Sequence, residues 1–265
     1  MKVKILGISG SPRRGNTEIA VKEALAGAEE VKGVETDFYS IVGKKLNPCI
    51  GDFRCGTKDA SPENPCPTWG PDDEIVKLVR RMEDFDGFIV GTPVYIGTVT
   101  AQLKMIIDRA IMMTEGGELG PLSLRNKVCG VVVSSWDRNG GHDFAIADIW
   151  RWAILHDMVV IGVGPVRVNC NNYWGGCVIQ AYTPNHPDGG QGIWWKDPNS
   201  QEERTAVKYD KMGLAQCRNI GRRAAELAKV IKAGFDNLAE GETYWPRGRT
   251  GGFTGTKWGS LKGDV

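Results

Sequence analysis

Five short runs with the pattern of strands, four of them apolar and the second weakly alternating, are separated by longer segments with helical character, and they constrain the fold of this chain more than any other feature. The runs predict strands over 2–8, 34–40, 87–91, 127–134 and 158–163, and the segments between and after them predict helices over 17–31, 72–82, 100–111, 143–157 and 206–233. Strands that alternate with helices form a parallel sheet with helices packed on both faces. The sequence therefore predicts an α/β fold built on a five-stranded parallel sheet.

The composition narrows the class of protein. A chain of 265 residues with 41% hydrophobic residues can bury the core of one elaborated domain. Its net charge of +1 gives no reason to expect nucleic acid or a membrane as partner. No apolar run approaches the roughly 20 residues that cross a bilayer, and the first residues do not resemble a signal peptide. We expect a cytoplasmic protein, in which the seven cysteines stay reduced and are metal ligands or buried residues.

The segment after the first predicted strand, residues 9–17, has the composition of an anion site, and we call it the phosphate loop. Its helix start, hydroxyl groups and arginine are groups that bind phosphate. Gly10 and Gly15 have the spacing of a P-loop, but Asn16 stands where the P-loop lysine belongs. The loop therefore suits a single terminal phosphate monoester, as on FMN. The alternative is an ordinary Gly/Ser/Pro turn that caps a helix. In either case Asn16 is available as the N-cap of the predicted helix.

The segment after the third predicted strand offers a flat apolar surface. Pro93 stiffens it, Tyr95 and Ile96 can contact an aromatic ring system, and Gly97 permits close approach to the backbone. The alternative for Tyr95 is a half-buried core position.

The segment after the fourth predicted strand contains two adjacent glycines, Gly140 and Gly141. Their backbone N–H groups can be presented to the carbonyl edge of a flavin. The alternative is a generic turn, with His142 as a surface or capping residue.

Two long motifs and two short ones give the chain a family resemblance. It resembles the NADPH-dependent FMN reductase superfamily, of flavodoxin-like fold, in Gly-Ser-Pro-Arg-Arg-Gly-Asn-Thr at 10–17, Thr-Pro-Val-Tyr-Ile-Gly at 92–97, Gln-Leu-Lys at 102–104 and Asp-Arg at 108–109. The resemblance implies that Ser11, Arg13, Asn16 and Thr17 bind the FMN phosphate, and that the isoalloxazine ring lies against 93–97 and 135–141. The complete predicted flavin site is Ser9, Ser11, Arg13, Asn16, Thr17, Pro93, Val94, Tyr95, Ile96, Gly97, Ser135, Trp136, Gly140 and Gly141.

Residues 47–69 form a cysteine loop that resembles the compact cysteine motif of the iron–sulfur flavoprotein branch. That branch has four cysteines here for a [4Fe–4S] cluster. This chain has Cys49, Cys55 and Cys66, while Asp52 occupies the second cysteine position and the last spacer is long. Three thiolates and a carboxylate can hold a four-iron cluster, and the harder oxygen ligand would leave one iron labile or give a [3Fe–4S] form. The alternatives are free thiols in an empty loop and a zinc site.

The chain is predicted to divide into a core with its cysteine loop at 1–163, an irregular Trp-rich excursion at 164–205, the final helix of the core at 206–234 and a tail at 235–265. The excursion and the tail hold five of the nine tryptophans. Aromatic side chains at that density indicate a subunit interface, and hence a homodimer or homotetramer. The alternative is an excursion that packs on its own core.

The leading functional prediction is an FMN-dependent oxidoreductase. It would accept electrons from NAD(P)H or ferredoxin and pass them to a small acceptor such as flavin, a quinone or dioxygen, with FMN supplying the chemistry. The second prediction is an electron carrier that relays electrons between protein partners through FMN and a [4Fe–4S] cluster. A third, weaker one is a scaffolding subunit that retains flavin. The sequence assigns no residue the role of a general acid or base.

Overall fold

The computed structural model describes residues 1–113, 123–136, 140–164, 174–179, 200–239 and 242. Its strands are β1 (Val3–Ser9), β2 (Val34–Ser40), β3 (Gly87–Pro93), β4 (Val128–Ser135), β5 (Val159–Val160) and β6 (Gly176–Ile179). Its α-helices are α1 (Asn16–Glu29), α2 (Glu74–Met82), α3 (Ala101–Arg109), α4 (His142–Leu155), α5 (Gln201–Arg204) and α6 (Lys211–Asn237), with short 3-10 helices at Arg54–Gly56, Ala110–Met113 and Ala206–Tyr209.

The strands form one parallel sheet in the order β2-β1-β3-β4-β5, with β6 also paired to β4. The order 2-1-3-4-5 is that of the flavodoxin-like fold, which confirms the predicted fold class. Because β1, β3 and β4 are neighbouring parallel strands, the loops that follow them lie next to one another at the carboxyl end of the sheet. This topology places the three predicted flavin-binding segments side by side.

Two layers of helices cover the sheet. α2, α3 and α4 pack on one face through a core that includes Leu6, Phe88 and Val131. α1 and α6 pack on the other face through Ile5, Ile89 and Val132. Along each strand alternate residues point to opposite faces, so the central strands β1, β3 and β4 are buried on both faces and mostly apolar, whereas the outer strand β2 has exposed charges at Glu35 and Asp37.

The sheet edge next to β4 departs from the prediction. The fifth strand is only two residues long and pairs with Val128 and Cys129 at the start of β4. β6 then pairs with the second half of β4, from Val132 to Ser135. The prediction that 164–205 lacks regular structure is therefore wrong for Gly176–Ile179 and for Gln201–Arg204. Of the C-terminal aromatic segments only Trp174 is among the described residues, where it stacks on Trp150 with ring centroids 5.7 Å apart.

The predicted helices form at the expected places in the chain, but their first and last residues differ from the predicted bounds. The final helix begins as a 3-10 turn and continues to Asn237. α2 begins after Asp73, whose side chain accepts hydrogen bonds from the N–H groups of Ile75 and Val76. Among the described residues, no helix combines the length and hydropathy needed to cross a bilayer.

Candidate functional site

Hydrogen bonds join the three predicted flavin-binding loops to one another. Gly10 N donates to the carbonyl oxygen of Gly91 at 2.7 Å, and Thr100 Oγ1 donates to the carbonyl oxygen of Gly10 at 2.6 Å. The hydroxyl groups of Thr17 and Ser134 lie 2.8 Å apart. The ends of β1, β3 and β4 therefore form one connected surface rather than three independent loops.

The phosphate loop presents the N-terminus of α1. The helix begins at Asn16, and Gly15 occupies the cap position with φ of 142° and without a side-chain cap. The prediction that Asn16 caps the helix is therefore wrong. The first N–H groups of a helix have no partners within the helix and carry partial positive charge, so this end of α1 fits an anion.

Several predicted phosphate ligands are already engaged within the protein. The Ser11 hydroxyl donates to the carbonyl oxygen of Arg13 at 2.8 Å and accepts from Arg13 N at 3.2 Å. Asn16 Oδ1 accepts from Val207 N at 3.2 Å. The hydroxyl of Ser9, by contrast, is buried without a hydrogen-bond partner at the end of β1. Arg13 has an exposed side chain at the rim of the loop.

The predicted ring-binding segment after β3 forms a tight turn with exposed apolar side chains. Tyr95 and Thr98 exchange backbone hydrogen bonds of 2.9 and 3.2 Å. Ile96 has a positive φ of 46° and a fully exposed side chain, and Tyr95 is 39% exposed. A Cβ atom added to Gly97 would have no other atom within 4 Å. Tyr95 is thus not a core residue, and this turn offers the apolar surface that a flat ring would cover.

The loop after β4 packs directly on that turn. A side-chain atom on Gly141, which has φ of 92°, would lie 3.1 Å from Gly97 Cα and from Val94 Cγ1. Val94 N donates to the carbonyl oxygen of Ser134 at 2.8 Å. Gly140 and Trp136 are half-buried beside this contact. Pro93 and Ser135 end β3 and β4, so the whole predicted ring site lies in one region, apart from 137–139, which lie outside the described residues.

His142 is buried, contrary to the prediction of a surface residue. Its Nε2 lies 3.3 Å from the carbonyl oxygen of Val178, which can only accept, so Nε2 carries the proton. In the neutral imidazole Nδ1 then accepts from Ser135 Oγ, 3.4 Å away. The imidazole thereby links the end of β4 to β6, and it orients the Ser135 hydroxyl. Sequence reasoning missed this role because β6 was not predicted.

The donor atoms of the cysteine loop line a different cavity, which we call the cysteine cavity. It has a volume of about 700 Å³ and lies between the cysteine loop, α3, the following 3-10 helix and α4. Cys49, Asp52, Cys55 and Cys66 all line it. Burial raises the pKa of the Cys55 thiol, and the charges of Cys66, Cys49 and Asp52 raise it further. A hydrogen bond from Thr68 holds the pKa of Asp52 below its usual range, helped by Arg54 N.

A buried ion pair anchors the start of this loop. Arg109 Nη1 donates to Asp73 Oδ1 at 2.6 Å and to the carbonyl oxygen of Asn47 at 3.3 Å. Asn47 Nδ2 donates to Asp73 Oδ2 at 2.9 Å. Both charged side chains are 1% exposed, so the pair is desolvated on both sides. The loop is fixed where it leaves the core, whereas Cys49 itself is exposed.

Three residues that line the cysteine cavity, on α3, on α4 and directly after α4, contain buried nitrogen atoms without partners. They are Nε and Nη2 of Arg109, Nε1 of Trp152 and Nδ1 of His156. Trp152 contacts His156 edge to face, with ring centroids 5.5 Å apart, and burial lowers the pKa of His156 to about 4. Unsatisfied N–H donors beside thiols fit a negatively charged, sulfur-rich group in the cavity. Within the described part of the chain, no three His, Cys, Asp or Glu side chains form a ready-made metal site.

Comparisons with known proteins agree with this geometry. The profile of the NADPH-dependent FMN reductase family matches residues 3–170. An iron-sulfur flavoprotein of Methanocaldococcus jannaschii is 38% identical over 231 residues, covering 87% of this chain and all of the relative. An iron-sulfur flavoprotein of Methanosarcina thermophila is 36% identical over 161 residues, covering 60% of this chain and 78% of the relative.

One solved structure supports the fold alone. A flavone reductase superposes with a TM-score of 0.51 at 22% identity, covering 87% of this chain and 64% of the other. The family profile spans β1 to β5 and thus all three flavin-binding loops. The connected loops, the helix N-terminus and the open apolar turn fit FMN, which the family binds. The chain belongs to the NADPH-dependent FMN reductase family of flavin-dependent oxidoreductases and, with these relatives, to its iron–sulfur flavoproteins.

Proposed function

We propose that this chain is an FMN-dependent oxidoreductase in which an iron–sulfur cluster in the cysteine cavity exchanges electrons with the flavin. The reduced donor is NAD(P)H or ferredoxin, and the acceptor is a small molecule such as flavin, a quinone or dioxygen. Bound FMN supplies the redox chemistry, because it can take up electrons in pairs or singly. The observation that carries the proposal is the presence of Cys49, Asp52, Cys55 and Cys66 around one cavity in a chain that also has the flavin loops.

The names of the relatives support a cluster in this chain. The iron-sulfur flavoprotein of M. jannaschii is 38% identical over 231 residues, which is 87% of this chain. The cavity also has the right chemistry, since residues with thiol and carboxylate groups line it together with residues whose nitrogen atoms are buried without partners. Cys49, Cys55 and Cys66 would be the thiolate ligands, and Asp52 would be the fourth ligand or lie beside an open iron.

The protein's own residues have separable tasks in this proposal. The phosphate loop binds the FMN phosphate, with Arg13 as its exposed cation. The turn at 93–97 and the loop at 135–141 support the ring and limit its contact with water. His142 keeps Ser135 and β6 in register with that loop. The Arg109–Asp73 pair fixes the start of the cysteine loop.

A second copy of the chain is proposed to cover the flavin site. Ile96 is fully exposed on the ring-binding turn, and Phe144, Ile154 and Leu155 of α4 are at least 60% exposed. Exposed apolar side chains at this density favour a homodimer or homotetramer. Light scattering should give a multiple of the 29.0 kDa chain mass, and Ile96→Asp should lower it. A monomer with full flavin occupancy would contradict this part of the proposal.

The proposed function is tested by anaerobic purification, a flavin and iron assay, and rapid-mixing reduction with NADPH or with reduced ferredoxin. We expect close to one FMN per chain together with iron and sulfide, and flavin reduction by at least one donor. Reduction by ferredoxin alone, with no turnover of any small acceptor, would favour the second candidate, a relay between protein partners. A protein that binds no flavin would contradict both.

A further inference from the structure

A segment far along the chain lies directly on the phosphate loop. Residues 200–210, here called the strap, comprise α5 and the 3-10 helix Ala206–Tyr209. A Cβ on Gly15 would lie 2.1 Å from the carbonyl oxygen of Arg204 and 3.3 Å from Arg204 Cβ. Only a glycine permits this contact, and its φ of 142° also requires glycine. The backbone of the strap is therefore in van der Waals contact with the residue that precedes α1.

The strap is held in place on both sides of this contact. Asn16 Oδ1 accepts from Val207 N at 3.2 Å, which ties the strap to the first residue of α1. Asp210 accepts from Gly213 N at the start of α6 and from Ile179 N at the end of β6, each at 2.9 Å. Asp210 is 4% exposed, so both bonds are shielded from water. Arg204 therefore has a fixed backbone position beside the phosphate loop.

Both cations of the phosphate loop are exposed to solvent. A phosphate monoester carries a charge of about −1.5 to −2 at neutral pH. Glu18, in the first turn of α1, adds a buried carboxylate that accepts from Ser40 Oγ at 2.7 Å. The arginines of the loop itself, Arg13 and Arg14, have exposed side chains and are screened by water. Arg204 is half-buried, and its Nε is shielded from solvent.

We propose that Arg204 binds the FMN phosphate, so that the phosphate is held from two sides, by the loop at 9–17 and by Arg204 of the strap. A guanidinium matches the geometry of phosphate oxygens and forms charge-assisted hydrogen bonds to them. Arg204 lies outside residues 3–170, which match the family profile, so this contact is not part of that match. The proposal rests on FMN binding at the phosphate loop and is independent of any cluster.

The test compares two ligands that differ only in the phosphate. The full chain, stripped of flavin, is titrated with FMN and with riboflavin while flavin fluorescence is followed. In the Arg204→Gln variant we expect FMN affinity to fall about ten- to a hundredfold, with riboflavin affinity unchanged. Arg204→Lys should recover part of the FMN affinity because it restores the charge. Lys208→Gln, which removes an exposed cation from the same strap, should change neither affinity.

Three results would overturn the proposal. The first is an Arg204→Gln variant with a wild-type ratio of FMN to riboflavin affinity. The second is an equal loss of both affinities in Arg204→Gln and Arg204→Lys, which would mean that Arg204 acts only by packing. The third is a wild-type chain that binds riboflavin as tightly as FMN, which would overturn the phosphate site itself. Flavin reduction by a donor in that protein would still support the proposed function, so the two failures are distinguishable.

Discussion

The flavin loops and the cysteine loop differ in how far the protein alone determines their geometry. The flavin loops follow adjacent strands of one sheet, and hydrogen bonds such as Gly10 N to Gly91 O connect them. The cysteine loop lies within a connection of more than thirty residues, 41–73, between β2 and α2. It is anchored at Asn47 by Arg109, and its donor atoms share a cavity without forming a metal site among the described residues. The comparison teaches that the flavin site at the carboxyl ends of the strands is preorganised, whereas the donor atoms of the cysteine loop would need the proposed cluster to bring them together.

Replacing one thiol should show most clearly that the two regions bind their cofactors independently. Cys55→Ser should cost most of the iron while FMN content stays close to one per chain, because Cys55 lies in the cysteine cavity and none of the flavin loops lines it. Iron and flavin are measured on the same anaerobic preparation. Lys58→Ser, at an exposed position of the same loop, is the matched control and should keep both cofactors. Loss of FMN together with iron would show that the two sites are not separate.

Two glycine substitutions should show the difference in rigidity. Gly15→Ala should destabilise the protein by more than about 3 kcal/mol, because the backbone is strained and the new methyl group meets the Arg204 carbonyl oxygen. Gly51→Ala should cost only about 1–2 kcal/mol, because the surroundings are open and only its φ of 71° is unfavourable. Denaturant unfolding of both variants measures the difference. Equal costs would contradict the contrast between the regions.

The wall of the cysteine cavity should make stability depend on pH. Burial lowers the pKa of His156 in the folded chain to about 4, against an ordinary 6.5, so protonation favours the unfolded chain. As the pH falls from 6.5 to 4, the free energy of unfolding should therefore decrease by up to about 3 kcal/mol. The difference between wild type and His156→Gln, unfolded by denaturant at several pH values, isolates this contribution. Parallel pH profiles for the two proteins would argue against a buried neutral imidazole.

The exposed cation of the phosphate loop should contribute to FMN affinity and leave the rest of the fold unchanged. Arg13→Ala removes a charge-assisted contact worth about 1.5–3 kcal/mol, so FMN affinity should fall by about ten- to a hundredfold. Riboflavin affinity is the control and should not change. Because the Arg13 side chain is exposed, raising the salt concentration should reduce the difference between the two proteins. Wild-type FMN affinity in the variant would remove Arg13 from the site.

The sequence predicted the strands and helices whose own residues form a recognisable pattern. β1, β3 and β4 are continuous apolar runs, and their order places Ser9, Gly97 and Gly141 in one region. β6 was missed because Gly-Cys-Val-Ile is too short to have its own periodicity. It forms because β5 ends at Val160 and leaves the second half of β4 without a partner on that side.

Long-range contacts account for the other differences. The sequence predicts that Asn16 caps α1 or binds the FMN phosphate. In the structure its side-chain oxygen accepts a hydrogen bond from Val207 N, which lies 191 positions further along the chain. Burial of His142 likewise requires β6, and the pairing of Arg109 with Asp73 spans 36 positions. No local pattern encodes these pairs, because they depend on which loops the sheet brings together. The assignment of Cys49, Asp52, Cys55 and Cys66 to iron remains a prediction.

The central claim, a cluster held by three thiolates and Asp52, is tested most directly by anaerobic reconstitution of wild type and Asp52→Cys with iron and sulfide. Iron per chain and the electron paramagnetic resonance spectrum are measured before and after mild oxidation. A carboxylate holds iron less tightly than a thiolate. We therefore predict that wild type binds a four-iron cluster that converts readily to a three-iron form on oxidation, and that Asp52→Cys binds a cluster that resists this conversion. If wild type binds no iron above background while Asp52→Cys does, the native loop carries no cluster and a hydride-driven FMN reductase is the better account; if neither binds iron, the assignment of these four residues is wrong.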